Sequence, residues 1–319
     1  RDFSRVILPL KKFGVNFYPK NRYKLPLYIS GSNFLSPITY HEKKGSAQCK
    51  SCVMLAALNT DGKTIIKAKK SRDHTEILFK HLNIPMKIKR GTNNDLIEVN
   101  GKKNFKSFDY KIPSDISSSA FFIVLTLLSK KSSLIIKNVN INPSRTGFIS
   151  ILNKMGAKIT FKNKKIYNGE KIADIFVKSA SKLKAIKCPT KYNSSAIDEF
   201  LIIFIVAAKA KGVSYFRNLS ELNQKESPRL KIASRILNMI GVKTKLTSHS
   251  IKIFGEPNLN LEKNYKVKNF LKDHRVFMMS TIAALTLGGS WTIHDPDSIK
   301  TSFPTFLKTI KKIGAKINW

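Results

Sequence analysis

One unit recurs along this chain: a polar or proline-containing opening, an amphipathic helix-like run that stops at glycine, then short segments with the alternation of strands. Residues 5–14, 145–156, 229–241 and 305–314 follow the pattern and end at Gly14, Gly156, Gly241 and Gly314. The strand-like segments behind them are Val15-Asn16-Phe17 with Leu27-Tyr28-Ile29, residues 157–161, residues 242–246 with 250–254, and residues 315–319. Residues 75–83 followed by 84–88 form a version without the glycine. Glycine at such a turn fits a helix C-cap, where a left-handed residue stops the helix and releases the chain into a strand. Lys243-Thr244-Lys245-Leu246 and Ser250-Ile251-Lys252-Ile253 alternate as half-exposed strands do. Repetition of this unit requires an α/β fold.

Between the repeats lie four runs apolar almost all round, residues 52–58, 120–128, 200–208 and 277–287. Such helices are expected in domain centres. The chain of 319 residues, 42% of them apolar, exceeds a single typical core and points to two domains. No uncharged apolar run reaches the roughly 18 residues of a membrane span. The start, Arg1-Asp2-Phe3-Ser4-Arg5, has no signal-peptide hydrophobic region, so no membrane association and a cytoplasmic location are expected.

The 58 Lys and Arg against 20 Asp and Glu give a formal charge of +38, which raises the question of a nucleic-acid or anionic-membrane partner. The lysines, however, are spread through every segment among many Ile and Asn, as codon bias in a low-GC genome produces. There is no basic arm, zinc-finger spacing or aromatic RNA-binding strand. Non-specific adhesion at low salt is expected, specific nucleic-acid binding is not. Cys49, Cys52 and Cys188 cannot all pair within the chain, and although Cys49-Lys50-Ser51-Cys52 has redox-type spacing, it opens into the apolar run through Leu58. No second Cys or His pair follows at zinc spacing, so packing is the expected role and no metal is expected.

Six polar clusters stand where a loop gives way to a helix-like run: residues 45–48, 71–76, 114–115, 198–199, 225–229 and 273–275. A helix N-terminus offers unpaired N–H groups and partial positive charge, so several gathered together make a receptor for anions. Asp73 and Glu76, three apart, have the spacing of a capping box, and His74 has no visible acid–base partner. Asp198 and Glu199 form an adjacent acidic pair in a chain poor in acids.

The strings Gly-Ser-Ala-Gln-x-Lys-Ser (45–51), Ser-Arg-Asp-His-Thr-Glu (71–76), Asp-Ile-Ser-Ser-Ser-Ala-Phe-Phe (115–122), Asn-Pro-Ser-Arg-Thr-Gly-Phe (142–148), Lys-Glu-Ser-x-Arg (225–229), Asp-His-Arg (273–275) and Thr-Ser-Phe-Pro (301–304) resemble, in order, those of the 3-phosphoshikimate 1-carboxyvinyltransferases. Two of them look more like the bacterial class typified by glyphosate-tolerant enzymes. The resemblance implies a two-domain inside-out α/β barrel of βαβαββ repeats, with about two units in 1–112 and about three in 113–319. It implies transfer of the enolpyruvyl group of phosphoenolpyruvate to the 5-hydroxyl of shikimate 3-phosphate in chorismate and aromatic amino-acid biosynthesis. Two small-molecule substrates, no cofactor and a monomer are expected.

By the same resemblance, Ser46, Ala47, Gln48, Arg72, Asp198 and Lys225 hold shikimate 3-phosphate. Arg1, Gln48, Arg229, His274 and Arg275 hold phosphoenolpyruvate. Asp198 accepts the hydroxyl proton, and Glu226 with Lys225 flanks the reacting centre. Glu199, Asp115 and Arg145 read as structural. Gln48, Arg72, Asp198, Lys225, Arg229 and Arg275 are expected to face one cleft. Pro228 and Asn223 depart from the family pattern, which has Asp and Arg there. The family also has upstream Lys-Ser-x-x-x-Arg and Asn-x-Gly-Thr motifs that this sequence does not contain, so the resemblance implies an N-terminally truncated fragment without turnover of its own. Other readings are an enolpyruvyl transferase acting on UDP-N-acetylglucosamine, a non-catalytic relative, and a basic nucleic-acid-binding protein.

Overall fold

Residues 3–101 and 106–319 are described by a computed structural model, in which the chain divides into two units, Arg1–Ile112 with Ile166–Glu170, and Pro113–Lys165 with Lys171–Trp319. In the first, α1 (Ser4–Phe13), β1 (Asn16–Tyr18), β2 (Tyr28–Ser30), β3 (Thr39–Glu42), α2 (Ala47–Ala57), β4 (Lys63–Lys69), α3 (His74–His81), β5 (Met86–Arg90) and β6 (Asn94–Asn100) follow one another. The larger sheet has the order β3-β4-β6-β5; β3 and β4 are parallel across α2, and the other pairs are antiparallel. Residues 39–100 are therefore one complete βαβαββ unit. Its core joins Val53, Met54 and Ala57 of α2, Phe79 of α3, Ile66 and Ala68 of β4, and Ile97 and Val99 of β6.

The second unit contains α4 (Ile116–Leu128), β7 (Ser133–Asn140), α5 (Gly147–Lys154), β8 (Ile159–Tyr167), β9 (Glu170–Lys178), α6 (Phe200–Ala208), β10 (Gly212–Phe216), α7 (Arg229–Met239), β11 (Thr244–Leu246), β12 (Ile251–Gly255), β13 (Leu261–Val267), α8 (His274–Leu287), β14 (Gly288–Ile293) and α9 (Phe306–Lys312). Its sheets are β7-β9-β8, β10-β12-β11 and the parallel pair β13-β14. The leading strand of the repeat is complete only in β13; before α4 and α6 it shrinks to the parallel bridges Ser114 to Val139, Lys184 to Lys211 and Lys187 to Tyr215. Every residue of α6 is buried, as are most of α4 and α8, whereas the strands keep an outer face, with Lys252 exposed between buried Ile251 and Ile253. Helices inside and sheets outside is the inside-out α/β architecture.

The glycine stops behave as the repeat demands: Gly14, Gly156, Gly241 and Gly314 have φ of +105°, +103°, +83° and +101°. At the end of α3, where glycine is absent, Asn83 takes the left-handed conformation at φ +54°. A second repeat signature is a basic residue, a left-handed asparagine and a fully buried apolar residue: Lys137-Asn138-Val139, Arg217-Asn218-Leu219 and Lys268-Asn269-Phe270.

Two expectations need correction. The apolar run 52–58 is not buried all round, because α2 is covered by α1 and the sheet on one side and leaves Leu55 53% exposed. Residues 315–319 form no strand, since among the described residues no strand offers them a ladder partner. Among the described residues no helix is long and apolar enough to cross a membrane.

Candidate active site

In the second unit the first turns of α4, α6, α7 and α8 bring together Ser117, the Asp198-Glu199 pair, the Glu226 to Arg229 segment, and Asp273 to Arg275. The anchor is Asp273, fully buried at the N-cap of α8. Its Oδ2 accepts from Arg229 Nε at 2.9 Å and Ser227 Oγ at 2.8 Å, and its Oδ1 from the Arg275 backbone N–H at 2.9 Å and Arg229 Nη2 at 3.3 Å. Burial alone would raise the Asp273 pKa, but these bonds and the Arg229 charge outweigh it and hold it below the ordinary carboxylate value.

Arg229, only 2% exposed, passes that anchorage on: Nη2 also donates to Glu226 Oε2, and Nη1 lies 3.6 Å from Asp198 Oδ1. Arg275 donates from Nη1 to the Asp198 carbonyl at 2.9 Å, while its Nη2 lies 3.8 Å from Asp198 Oδ2. Two arginines thus place positive charge near the two oxygens of one carboxylate. Asp198, Glu226, Arg229 and Arg275 are brought together as one network. His274 adjoins it; burial and the neighbouring Arg275 charge lower its pKa, partly offset by Asp273. Lys225 is turned to a different partner, with Nζ 3.0 Å from Glu221 Oε1.

Behind this layer, Ser117 donates to Glu199 Oε1 and accepts from Arg145 Nη2, and Arg145 pairs with Asp115 at 3.0 Å. Glu199 is 3% exposed, and burial raises its pKa against the opposing Arg275 charge. Asp115 caps α4 by accepting from Ser118 N at 2.8 Å. The supporting reading of Glu199, Asp115 and Arg145 fits these contacts.

Pro228 stands at the start of α7, where it provides no side-chain cap. Asn223 supplies one from five residues upstream: its Oδ1 accepts from Leu230 N at 3.2 Å and Lys231 N at 3.4 Å. With proline at the N-cap, α7 thus has its side-chain acceptor supplied by Asn223.

In the first unit Ser46 is the N-cap of α2, accepting from Cys49 N at 3.3 Å, with Ala47 opening the helix and Gln48 exposed on its first turn. Buried Glu42 shapes the preceding turn, accepting from Lys44 N at 3.0 Å and Gly45 N at 2.6 Å. Arg72 is half-buried in the loop before α3. The capping-box reading of Asp73 and Glu76 is wrong: Asp73 makes no side-chain cap bond and pairs with Arg90 at 3.3 Å, and Glu76 turns inward to Lys50 at 2.6 Å. His74 does have a partner, Glu170, at 2.5 Å. Cys49 and Cys188 are buried free thiols, and Cys52 is partly buried. Arg1 lies outside the described residues. Among the described residues no group of three or more His, Cys, Asp or Glu is placed to hold a metal ion.

Sequence reasoning gave no role to Asp273, Ser227, Ser117 and Lys50, and read Asn223 only as a departure from the family pattern. Asp273 and Ser227 sat in strings read for their neighbours, and a lysine next to Cys49 and one helical turn before Val53 and Met54 was a visible sign of a buried charge.

A sequence profile of the family described as EPSP synthase (3-phosphoshikimate 1-carboxyvinyltransferase) matches residues 1–310. A relative named 3-phosphoshikimate 1-carboxyvinyltransferase from Ruthia magnifica is 38% identical over 100% of this chain and 71% of its own length. One of the same name from Petrotoga mobilis is 37% identical over 98% of this chain and 71% of its own. The solved EPSP synthase of Acinetobacter baumannii superposes with a TM-score of 0.86 at 33% identity, covering 100% of this chain and 72% of that one. The enolpyruvyl transferase NikO from Streptomyces tendae, at 15% identity and a TM-score of 0.74, shares the fold. With its repeats, its helix-start arginines and carboxylates, and likeness along its whole length, this chain belongs to the EPSP synthase (3-phosphoshikimate 1-carboxyvinyltransferase) family.

Proposed function

We propose that the protein transfers the enolpyruvyl group of phosphoenolpyruvate to the 5-hydroxyl of shikimate 3-phosphate, releasing phosphate. The observation that carries this reading is the pair of carboxylates, Asp198 and Glu226, held by Arg229 with Arg275 on the far side of Asp198. In the scheme the 5-hydroxyl oxygen bonds to C2 of phosphoenolpyruvate while Asp198 takes its proton and Glu226, with Lys225 beside it, delivers a proton to C3. In the tetrahedral adduct Glu226 then takes a proton back from C3 while the C2–O bond to phosphate breaks, which restores the vinyl group and releases phosphate. Cationic side chains of the protein offset the charge that moves between the oxygens of the two anionic substrates, and holding the two together removes much of the entropic barrier. Ser46, Ala47, Gln48 and Arg72 take shikimate 3-phosphate, and Gln48, Arg229, His274 and Arg275 take phosphoenolpyruvate.

Arg229 supports two carboxylates from a buried position, so its contribution includes orienting Asp198 and Glu226 as well as charge. The Ser46-Ala47-Gln48 and Arg72-Asp73-His74-Thr75-Glu76 strings support placement in the class typified by glyphosate-tolerant enzymes. The test is phosphate release from phosphoenolpyruvate by the full-length protein. It should require shikimate 3-phosphate and fall by about two decades or more in Asp198→Ala, the loss expected for general-base chemistry. Release supported equally by UDP-N-acetylglucosamine, or untouched by Asp198→Ala, would refute the assignment.

A further inference from the structure

Lys50 lies in the first turns of α2, four residues beyond the Ser46 N-cap, yet its side chain is only 3% exposed. Its Nζ donates to Glu76 Oε1 at 2.6 Å and to the backbone carbonyl of Arg72 at 2.8 Å. Glu76, at the start of α3, is 2% exposed and its Oε2 has no hydrogen-bond partner. The next residue of α2 repeats the connection, since Ser51 Oγ lies 2.6 Å from Thr75 Oγ1. Beside them Asp73 is tied to Arg90 and His74 to Glu170.

We propose that Lys50 is a positioning residue for binding of the substrate phosphate: it sets where Arg72 stands relative to the N-terminus of α2. The proposal rests on the reading of Ser46, Gln48 and Arg72 as phosphate-holding groups. A buried ion pair roughly breaks even against a well-packed apolar pair of the same volume, so stability alone does not call for lysine here. What an apolar pair cannot do is grip a carbonyl. The ammonium group has three donors: one joins the helix that presents Ser46 and Gln48 to the backbone of the residue that presents a guanidinium, and a second holds the ammonium on Glu76. Lys50 is thus the side chain that ties the Arg72 backbone itself to α2, beside the Ser51–Thr75 link one residue on. None of the strings that carry the family likeness assigns Lys50 a role with substrate.

The test compares Lys50→Met, Lys50→Arg, Glu76→Gln, the double variant Lys50→Met with Glu76→Met, and Arg72→Ala in the full-length protein. Melting temperature, the Kd of shikimate 3-phosphate by calorimetry, and KM for each substrate are measured. Misplacing a binding group by about 1 Å can cost as much as a hundredfold, so the double variant should melt close to the wild type and yet bind shikimate 3-phosphate about tenfold or more weakly. Its KM for phosphoenolpyruvate should change little. Lys50→Arg keeps a donor for the carbonyl and should recover most of the affinity. Glu76→Gln keeps Lys50 on Arg72 and should bind normally even if it melts lower, which covers the case of a double variant that does not fold. Normal shikimate 3-phosphate affinity in a folded Lys50→Met protein, or equal loss for both substrates, overturns the proposal. If Arg72→Ala itself leaves that affinity unchanged, the assignment of Arg72 fails instead, and the two failures are distinct.

Discussion

Replacing Asp273 by Asn tests the anchor of the carboxylate network. Asp273 accepts four hydrogen bonds, two on each oxygen, and is fully buried. An amide has one oxygen. Turned one way, its NH₂ faces Arg229 Nη2 and the Arg275 N–H and two bonds are lost; turned the other way it faces Arg229 Nε, and only the Ser227 hydroxyl can rotate to accept from it, so in either case a donor is set against a buried guanidinium donor. Removing one partner of a buried ion pair costs about 3–5 kcal/mol; Glu226 and Asp198 still face Arg229, which places this change near 3 kcal/mol. For a unit of this size each kcal/mol moves the melting point by about 2–4 °C, so a fall of about 6–12 °C is expected. The pH dependence follows from the lowered Asp273 pKa. A carboxyl with a folded pKa below its unfolded value of about 3.9 adds stability that is fully present above that value and is lost as pH falls through the folded one. Melting curves for wild type and Asp273→Asn should therefore run parallel from about pH 8 to 5 and converge below about 4. A loss under about 2 °C at pH 7, or a gap that widens in acid, would show that Arg229 does not depend on Asp273.

Asn223→Ala should lower the melting point by about 2–4 °C through loss of the α7 cap, with Asn223→Asp retaining most of it; an unchanged melting point would mean the two long contacts contribute nothing. Asp198→Ala should keep shikimate 3-phosphate binding largely intact while turnover falls by about two decades or more, and matched losses of both would move Asp198 from proton transfer to substrate binding. His274 should titrate below its unfolded value of about 6.5 in a nuclear magnetic resonance experiment, so below that pH the unfolded chain takes the proton more readily and stability declines; a midpoint at or above 6.5 would overturn the role given to burial and Arg275.

Helix ends were legible because glycine is nearly alone in tolerating φ near +100°, so Gly14, Gly156, Gly241 and Gly314 could be placed without knowing what packs where. Asn83, Asn138, Asn218 and Asn269 do related work and escaped notice, since asparagine also serves in turns, caps and exposed loops. The fully buried helix α6 could be read from composition, but the half-exposed α2 could not: an apolar run does not say how many of its sides have neighbours. The same limit governs the site. Asp198, Glu226, Arg229 and Arg275 were visible through helix-start strings, whereas the links that aim them join residues far apart in sequence, 44 positions for Arg229 with Asp273 and 26 for Lys50 with Glu76. Such pairs are made by topology, and a lone acid in a sequence does not announce which distant cation it will meet.

The four glycine stops look interchangeable in sequence but differ in how they would fare under mutational drift. A methyl group on Gly14 would come within 3.0 Å of the Phe34 carbonyl oxygen, and on Gly156 within 2.9 Å of that of Lys182, whereas Gly241 and Gly314 have open space there. In a lineage whose codons drift toward Asn and Lys, glycine is a residue at risk, and asparagine is its most tolerated successor at positive φ. Among the described residues this chain already has asparagine at seven of its eleven non-glycine positions with positive φ. A side chain at 241 or 314 would meet only the strain of the positive φ, whereas at 14 and 156 a close backbone oxygen adds to that strain. Relatives that have drifted further should thus lose glycine at 241 and 314 before they lose it at 14 and 156.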